Sequence, residues 1–519
     1  MKVLGISGRD RDAAAALSID GRIVAAVTEE SFARVAGIGY AQTGGVPVNA
    51  VDACLTAAGV ATDAVDEVVV VGDVVGDAGK LARSSRVMDA VEADARHAAM
   101  TTPASRAVIV CGANPPVMAL FRREGDGVAE RRDVAGAPAI FAGASALAST
   151  LGLSTTDSLA ELDRLGAGTD PEFAEAFSAA IVVAGNAAGV SADPAAIAAA
   201  AKTIGGDHAA LLGDPRSLNA RVQQKRRALA ASFTASLAGV VAKIAECAGT
   251  GNGSSPVAAG GGAFGNAGFN SALQGIVGDR LSLAAVPEPS GRALGAVAGA
   301  GHAAALAIGP AFSEEAIKRT LDNCRLDYVY EPDWARLLAR VSKMLAQGKI
   351  VGWFQGPMAF GPRPLGTRSI LADPSNRYAR QNVNEYLRDL PLDTPLPLVV
   401  APTMAASCLA SDAPAFGSRD VEVRADWRPL VAAALDGRHA ARIHGPSARF
   451  ESRLRDLLEH HYASTGTPGL IEIGLSGAAE PTACTPRDAV RTMYSSAIDA
   501  LVLGRFLLMK DYWLLRSQE

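Results

Sequence analysis

The strongest constraint on this chain is a strand-rich pattern that begins twice. Three strand-length apolar pieces open it: Lys2–Ser7, Ala14–Ile19 and Arg22–Val27. Between the last two stands Asp20–Gly21, a pair suited to the positive φ angles of a two-residue hairpin turn. A helical stretch at Val48–Ala58 and a strand at Glu67–Val71 follow. The pattern then restarts at Ala107–Cys111 and Val117–Phe121. Helical periodicity predicts Pro171–Ala184, Pro194–Ile204 and Asn219–Ala248, the two shorter helices opening on proline. Glycine-rich chain fills 249–268 and contains Gly260, Gly261 and Gly262. Strands then helices, begun twice, predict two related α/β lobes facing a cleft.

The remainder reads as a separate unit. Residues 308–330 form a connection, and a new α/β pattern starts near Trp334 with a helix at Asp333–Gln347 and a strand at Ile350–Phe354. A helix at 448–464 and the region 489–508 belong to it. The main boundary is therefore placed at about 330, giving domains 1–330 and 331–519. A chain of 519 residues exceeds a single core. Its net charge of −5 argues against nucleic acid as a partner, since phosphate-binding surfaces carry a basic excess. The six cysteines have no metal-ligand or redox spacing, which predicts reduced thiols in a cytoplasmic protein. The N-terminus lacks the apolar core of a signal peptide, and no uncharged apolar run is long enough to predict a membrane span.

One stretch is unlike a strand or a linker. Residues 352–374 read GWFQGPMAFGPRPLGTRSILADP, a breaker-rich loop carrying Arg363, Arg368 and Ser369 between two apolar strands. Planar guanidinium groups suit phosphate or carboxylate, and they equally suit backbone carbonyls and a carboxylate such as Asp373 inside a fold. The two readings stand level.

That stretch resembles a motif of the ATP-dependent O-carbamoyltransferases, the nodulation and antibiotic-tailoring family, which reads GRMEFGPRALGNRSILADP. Phe360–Arg363, Leu365–Gly366 and Arg368–Pro374 match it. GRIVAAVTEESFARVAG near the start, AAGGGAFGNAGFN at 258–270, GRALGAVAGAG at 291–301 and EPTACTPRDAV at 480–490 are similar to further family segments. The resemblance implies an actin-like (ribonuclease H-like) two-lobed N-terminal domain, then an α/β domain like threonylcarbamoyl-adenylate synthase. By resemblance, the C-terminal domain makes carbamoyl adenylate from ATP and carbamoyl phosphate. The N-terminal domain moves the carbamoyl group to a hydroxyl with a metal ion. Arg363, Arg368 and Ser369, together with Gly260 and Gly261, would then contact the nucleotide and phosphates.

The chain departs from the family where the chemistry lies. The family's His-Asp pair falls on Arg11–Asp12. Its HHxxHAA metal motif falls on ADARHAA, where His97 survives and Ala93 and Asp94 do not supply imidazole. Two aspartate ligands fall on Cys111 and Pro289. In the C-terminal domain the basic positions fall near Glu385 and Leu398, with Arg388 the nearby cation. Glu472 enters the segment that replaces the NTS-FN loop, where it would repel a triphosphate if it faced the same pocket. The family's arginine and glutamate ahead of the Gly-Pro-Arg are Pro357 and Ala359. One surviving ligand does not hold iron or zinc, so no resident metal is expected. A remodelled soft site of Asp94, His97 and Cys111 is the competing reading.

Three functions remain open. The first is O-carbamoylation of a small-molecule acceptor in specialised-metabolite biosynthesis, with transfer impaired. The second is a silent homologue, in a homo- or hetero-oligomer, that supports a biosynthetic partner. The third is different chemistry on the same fold, built on new polar residues such as Arg11, Asp94, Cys111 and Glu472. The candidate catalytic residues are Arg11, Asp12, His97 and Cys111.

Overall fold

The computed structural model describes residues 1–510 except 73–75, 103, 114, 126, 185–188, 249–255, 285–288, 299–305, 414–416 and 446–448. Part of the glycine-rich segment expected at 249–268 thus lies outside the described residues.

The first lobe is built on β1 (Lys2–Ser7), β2 (Ala14–Ile19), β3 (Arg22–Thr28), β4 (Glu67–Val71) and β5 (Ser84–Met88). Its sheet runs β3-β2-β1-β4-β5. The first three strands form an antiparallel meander, and β4 and β5 add in parallel on the other side of β1. Asp20 and Gly21 both take positive φ, as the hairpin requires. The helix Val48–Ala58 supplies the crossover to β4, whose unbroken valine run is buried on both faces.

The second lobe repeats this order. It contains β6 (Ala107–Ala113), β7 (Pro116–Glu124), β8 (Gly127–Asp133), a small hairpin of β9 (Ile181–Val183) and β10 (Val190–Ala192), then β11 (Val257–Gly260) and β12 (Leu281–Leu283). Its main sheet runs β12-β11-β6-β7-β8. Again a meander comes first and two parallel strands join its first strand. Two lobes of one topology make the expected actin-like pair.

The helix expected at Pro171–Ala184 is shorter, Ala174–Ala180, and its end becomes β9. Ile181, Val182 and Val183 are β-branched and pair with Val190–Ala192, so strand pairing overrides the alanine-rich helical pattern. Of the two helices expected to open on proline, the second does so, at Pro194, where Asp193 caps the Ala195 N–H. The helix Ala220–Ala248 contains a stretch long and apolar enough to cross a membrane by length and composition. Its Leu229, Phe233, Leu237 and Val241 are buried in the core of the second lobe.

Two glycine contacts join the lobes. The short helix Arg292–Val297 lies on β1 and on the helix Ala90–Thr101. A Cβ added at Gly5 would lie 2.5 Å from the Ala293 carbonyl oxygen. One added at Gly295 would lie 1.9 Å from that of Ala93, so backbone meets backbone there.

The C-terminal domain has β13 (Val329–Tyr330), β14 (Val351–Phe354), β15 (Arg368–Ala372), β16 (Leu398–Val400), the ribbon β17 (Arg419–Glu422) and β18 (Ala440–Ile443), β19 (Gly469–Gly474), β20 (Ala500–Leu503) and β21 (Phe506–Met509). Its seven-stranded mixed sheet runs β13-β21-β20-β14-β15-β19-β16. Trp353, Ile370, Leu371, Leu470 and Leu501 form its core with the helices Trp334–Ala346 and Ser452–Thr465. Ile317 and Leu321, ahead of residue 330, also belong to that core.

Arg34 ties the first lobe to this domain. Its guanidinium donates to the carbonyls of Pro481 and Thr482, each at 2.7 Å, and lies 3.8 Å from Glu480 and 3.9 Å from Asp488. Replacing Arg34 by alanine is expected to cost about 1–3 kcal/mol, the scale of charged hydrogen bonds. Hydrogen exchange should quicken in residues 480–485. Unchanged exchange there would show that the contact does not hold the loop.

Candidate functional site

The loop between β14 and β15 is a closed, hydrogen-bonded turn. Gln355 N–H donates to the Thr367 carbonyl, and the Thr367 hydroxyl bridges the Ala359 N–H and the Pro364 carbonyl. Leu365 adopts a left-handed φ of 46° and Gly366 one of 81°. Arg368 then starts β15 with its side chain fully buried. Its Nη1 donates to the carbonyls of Gln355, Gly356 and Thr367, its Nη2 to Pro310, and its Nε is 3.5 Å from the Cys484 carbonyl. The Phe354 ring lies 3.6 Å from its guanidinium carbon. Burial pulls Arg368 down to about 9, so it stays charged at neutral pH. Asp373, the carboxylate expected beside a buried arginine, is instead paired with His461 at 3.3 Å and with Ser375.

Glu472 stands on β19, antiparallel to β15. It is fully buried, and one carboxylate oxygen accepts both the Ser369 hydroxyl at 2.7 Å and the Gly366 N–H at 2.6 Å. Burial raises its carboxyl to about 7, against the opposing effect of those two bonds. Glu472 therefore shares a pocket with Ser369 and takes up the hydroxyl that the sequence offered to a phosphate.

Arg363 goes elsewhere. Its Nε donates to the Ser418 hydroxyl at 2.8 Å, and that hydroxyl is 2.6 Å from His444 Nδ1. Burial, then Arg363 and Arg442, hold His444 well below its ordinary value. The two arginines thus engage different groups: Arg368 the carbonyls around the loop, and Arg363 the Ser418 hydroxyl just ahead of the β17–β18 ribbon. Arg388 reaches the Gly474 carbonyl and the Ser476 hydroxyl, while Glu385 is exposed and accepts from Gln381. Leu398 is a buried strand residue.

In the lobes, Asp94, Cys111, Gly260 and Gly261 meet through their backbones. A Cβ on Gly261 would lie 2.6 Å from the Cys111 carbonyl oxygen, and one on Gly260 2.8 Å from that of Asp94. Their side chains do not converge. Asp94 accepts from Arg292 Nε at 3.1 Å and Nη2 at 3.0 Å. His97 is buried with Nε2 unpartnered, and burial lowers it to about 4. The Cys111 thiol is fully buried and pushed up to about 12. Among the described residues, no group of three or more His, Cys, Asp or Glu is placed to hold a metal ion. The soft site of Asp94, His97 and Cys111 is therefore not formed, and the described residues do not fit the implied metal. The Pro289 side chain lies outside the described residues. Arg11 and Asp12 pair with each other at 2.7 Å in the loop after β1.

Sequence reading missed a junction between the second lobe and the C-terminal ribbon. Asp163 accepts the N–H groups of Gly268 and Phe269, at the start of the helix Ala267–Val277. Arg442 binds Asp420 through two nitrogens and lies 3.8 Å from Asp163. A cavity of about 320 Å³ adjoins them, lined in part by Thr169, Thr234, Ser271 and Arg438. Its only sequence signal was an aspartate at an otherwise apolar helix position.

Residues 342–510 match the family described as carbamoyltransferase C-terminus. Nodulation protein NolNO of Sinorhizobium fredii is 30% identical over 184 residues, covering 33% of this chain and 26% of that protein. The 3'-hydroxymethylcephem-O-carbamoyltransferase of Amycolatopsis lactamdurans is 41% identical over 61 residues, 11% of this chain and 12% of that one. A solved structure, component A of the Acidaminococcus fermentans (R)-2-hydroxyglutaryl-CoA dehydratase, superposes on 57% of this chain and 96% of its own at 18% identity and a TM-score of 0.37. The alignments with the first curated relatives span 26–38% of those proteins' lengths.

Proposed function

We propose that the chain is a carbamoyltransferase-family protein, a reading supported by the match of residues 342–510 to that family's C-terminal model and by relatives of modest identity. On that premise it is a carbamoyltransferase-family protein of specialised-metabolite biosynthesis in which metal-dependent transfer of a carbamoyl group to a hydroxyl is lost. One observation carries this reading. The Ser369 hydroxyl and the Gly366 N–H, which the loop would offer to a phosphate, both serve the buried Glu472 carboxylate. Adenylation needs preorganised positive charge and donors around anionic phosphate. A carboxylate in that place opposes it. The carbonyl-enclosed Arg368 does not compensate, because its three nitrogens already face backbone oxygens.

A chain that keeps the family fold and gives up this chemistry suits a silent partner of a cytoplasmic biosynthetic enzyme. The test is pyrophosphate release from ATP with carbamoyl phosphate, alongside calorimetric titration of each ligand. Neither binding nor release is expected from the folded protein, and Glu472→Ser should restore some ATP affinity. Turnover by the wild-type chain would overturn the reading.

A further inference from the structure

The seam between the lobes holds a second, independent departure. Asp94 lies on the helix Ala90–Thr101 with its side chain 5% exposed, and Arg292 opens the helix Arg292–Val297 at 14%. These are the two helices that meet at Gly295 and Ala93 with no side chain between them. The Asp94 backbone also abuts Gly260 at the end of β11. One ion pair therefore sits where elements of both lobes converge. The neighbouring acid Asp89 is engaged by Arg131 at 2.7 Å, so it does not compete for Arg292. An isolated carboxylate at this depth costs several kcal/mol, and a cation must answer it.

The family resemblance implies a metal ion whose histidine motif falls on residues 93–99, on this helix. A metal needs three or four converging ligands. Among the described residues no such set of ligands is present, and both Arg292 nitrogens that touch Asp94 converge on one of its oxygens. A divalent ion brought to Asp94 would face the Arg292 charge at contact distance. We infer that Arg292 is a built-in cation standing in place of a metal: it neutralises Asp94, pins the two helices across the seam and keeps divalent ions out. The seam then holds together without regard to metal supply. This inference does not rest on the fate of adenylation, because no group near Glu472 takes part in it.

The experiment uses the full chain. Wild-type protein is incubated with Zn²⁺, Mn²⁺ or Fe²⁺, desalted, and its metal content and melting temperature are measured with and without EDTA. Metal at background and a melting temperature unmoved by EDTA are expected. Arg292→Met should lower the melting temperature by several degrees by leaving Asp94 unanswered, and the double variant Asp94→Asn/Arg292→Met should recover most of the loss. Stoichiometric metal in wild type, a fall on EDTA treatment, or an Arg292→Met variant as stable as wild type overturns the inference. If Arg292→Met does not fold, recovery by the double variant decides: a folded double variant supports the proposal, and one that also fails overturns it. The pyrophosphate assay reads none of these quantities, so the two proposals fail separately.

Discussion

Arg368→Ala is expected to unfold the C-terminal domain rather than weaken a binding site. The guanidinium donates to four backbone carbonyls, two of them buried, approaches a fifth and stacks on Phe354. Alanine takes their shared donor from the Gln355 and Gly356 carbonyls, while those of Thr367 and Pro310 keep the Gln355 and Met358 N–H groups, and it opens a cavity above the ring. Two acceptors stripped of a donor at about 1–3 kcal/mol each, with the cavity added, give a loss of about 4 kcal/mol or more. That approaches the whole stability of a typical domain. Arg363→Ala, which removes a bond to the Ser418 hydroxyl and none to the loop carbonyls that Arg368 serves, should cost less. Circular dichroism and thermal unfolding of the two variants check this. If Arg368→Ala melts like wild type, the enclosure is not what holds the loop.

Glu472→Gln should stabilise the protein above neutral pH and flatten its pH dependence. Burial raises the carboxyl from 4.5 to about 7 in the folded chain. Between those values the folded state keeps a proton that the unfolded state has released. Stability from this group is therefore full below about pH 4.5, falls as pH rises towards 7, and stays reduced above it. At about 1.4 kcal/mol per pH unit, the wild-type carboxylate costs about 3 kcal/mol at pH 8. Glutamine, which accepts the same two bonds without charge, removes that cost. Urea unfolding of both proteins at pH 5, 6 and 8 should show a gap that opens with pH. A constant gap would show that Glu472 is not the group that titrates.

What the sequence revealed follows from how far apart the interacting residues lie. β1, β2, β4 and the helix Val48–Ala58 were legible to the residue, because alternation, a valine run and the Asp20–Gly21 turn are local signals. The closed loop around Arg363 and Arg368 was legible as a rigid turn from its glycines and prolines. Its purpose was not, since the partners of Arg368 are backbone carbonyls whose directions no side-chain pattern reports. Arg292 and Asp94 are separated by 198 residues, and Arg442 and Asp163 lie in different domains, so neither pair leaves a mark within any one window. Ile181–Val183 misled for a related reason: an alanine-rich surrounding suggested helix, and the deciding contact lay across a turn at Val190–Ala192.

The backbone contacts at Gly5, Gly260 and Gly295 bear on how such a chain can change over time. At each, the smallest possible addition, one methyl carbon, would strike a carbonyl oxygen or press within 3 Å of one. Those positions are closed to mutation whether or not the protein catalyses anything, because the penalty falls on folding itself. Asp94, Cys111 and Glu472 occupy places where a different polar group can be accommodated once a partner such as Arg292 or Ser369 answers it. When selection for turnover relaxes, substitutions will accumulate at the second kind of position and be purged at the first. A lineage can thus keep a recognisable skeleton long after its reaction has gone.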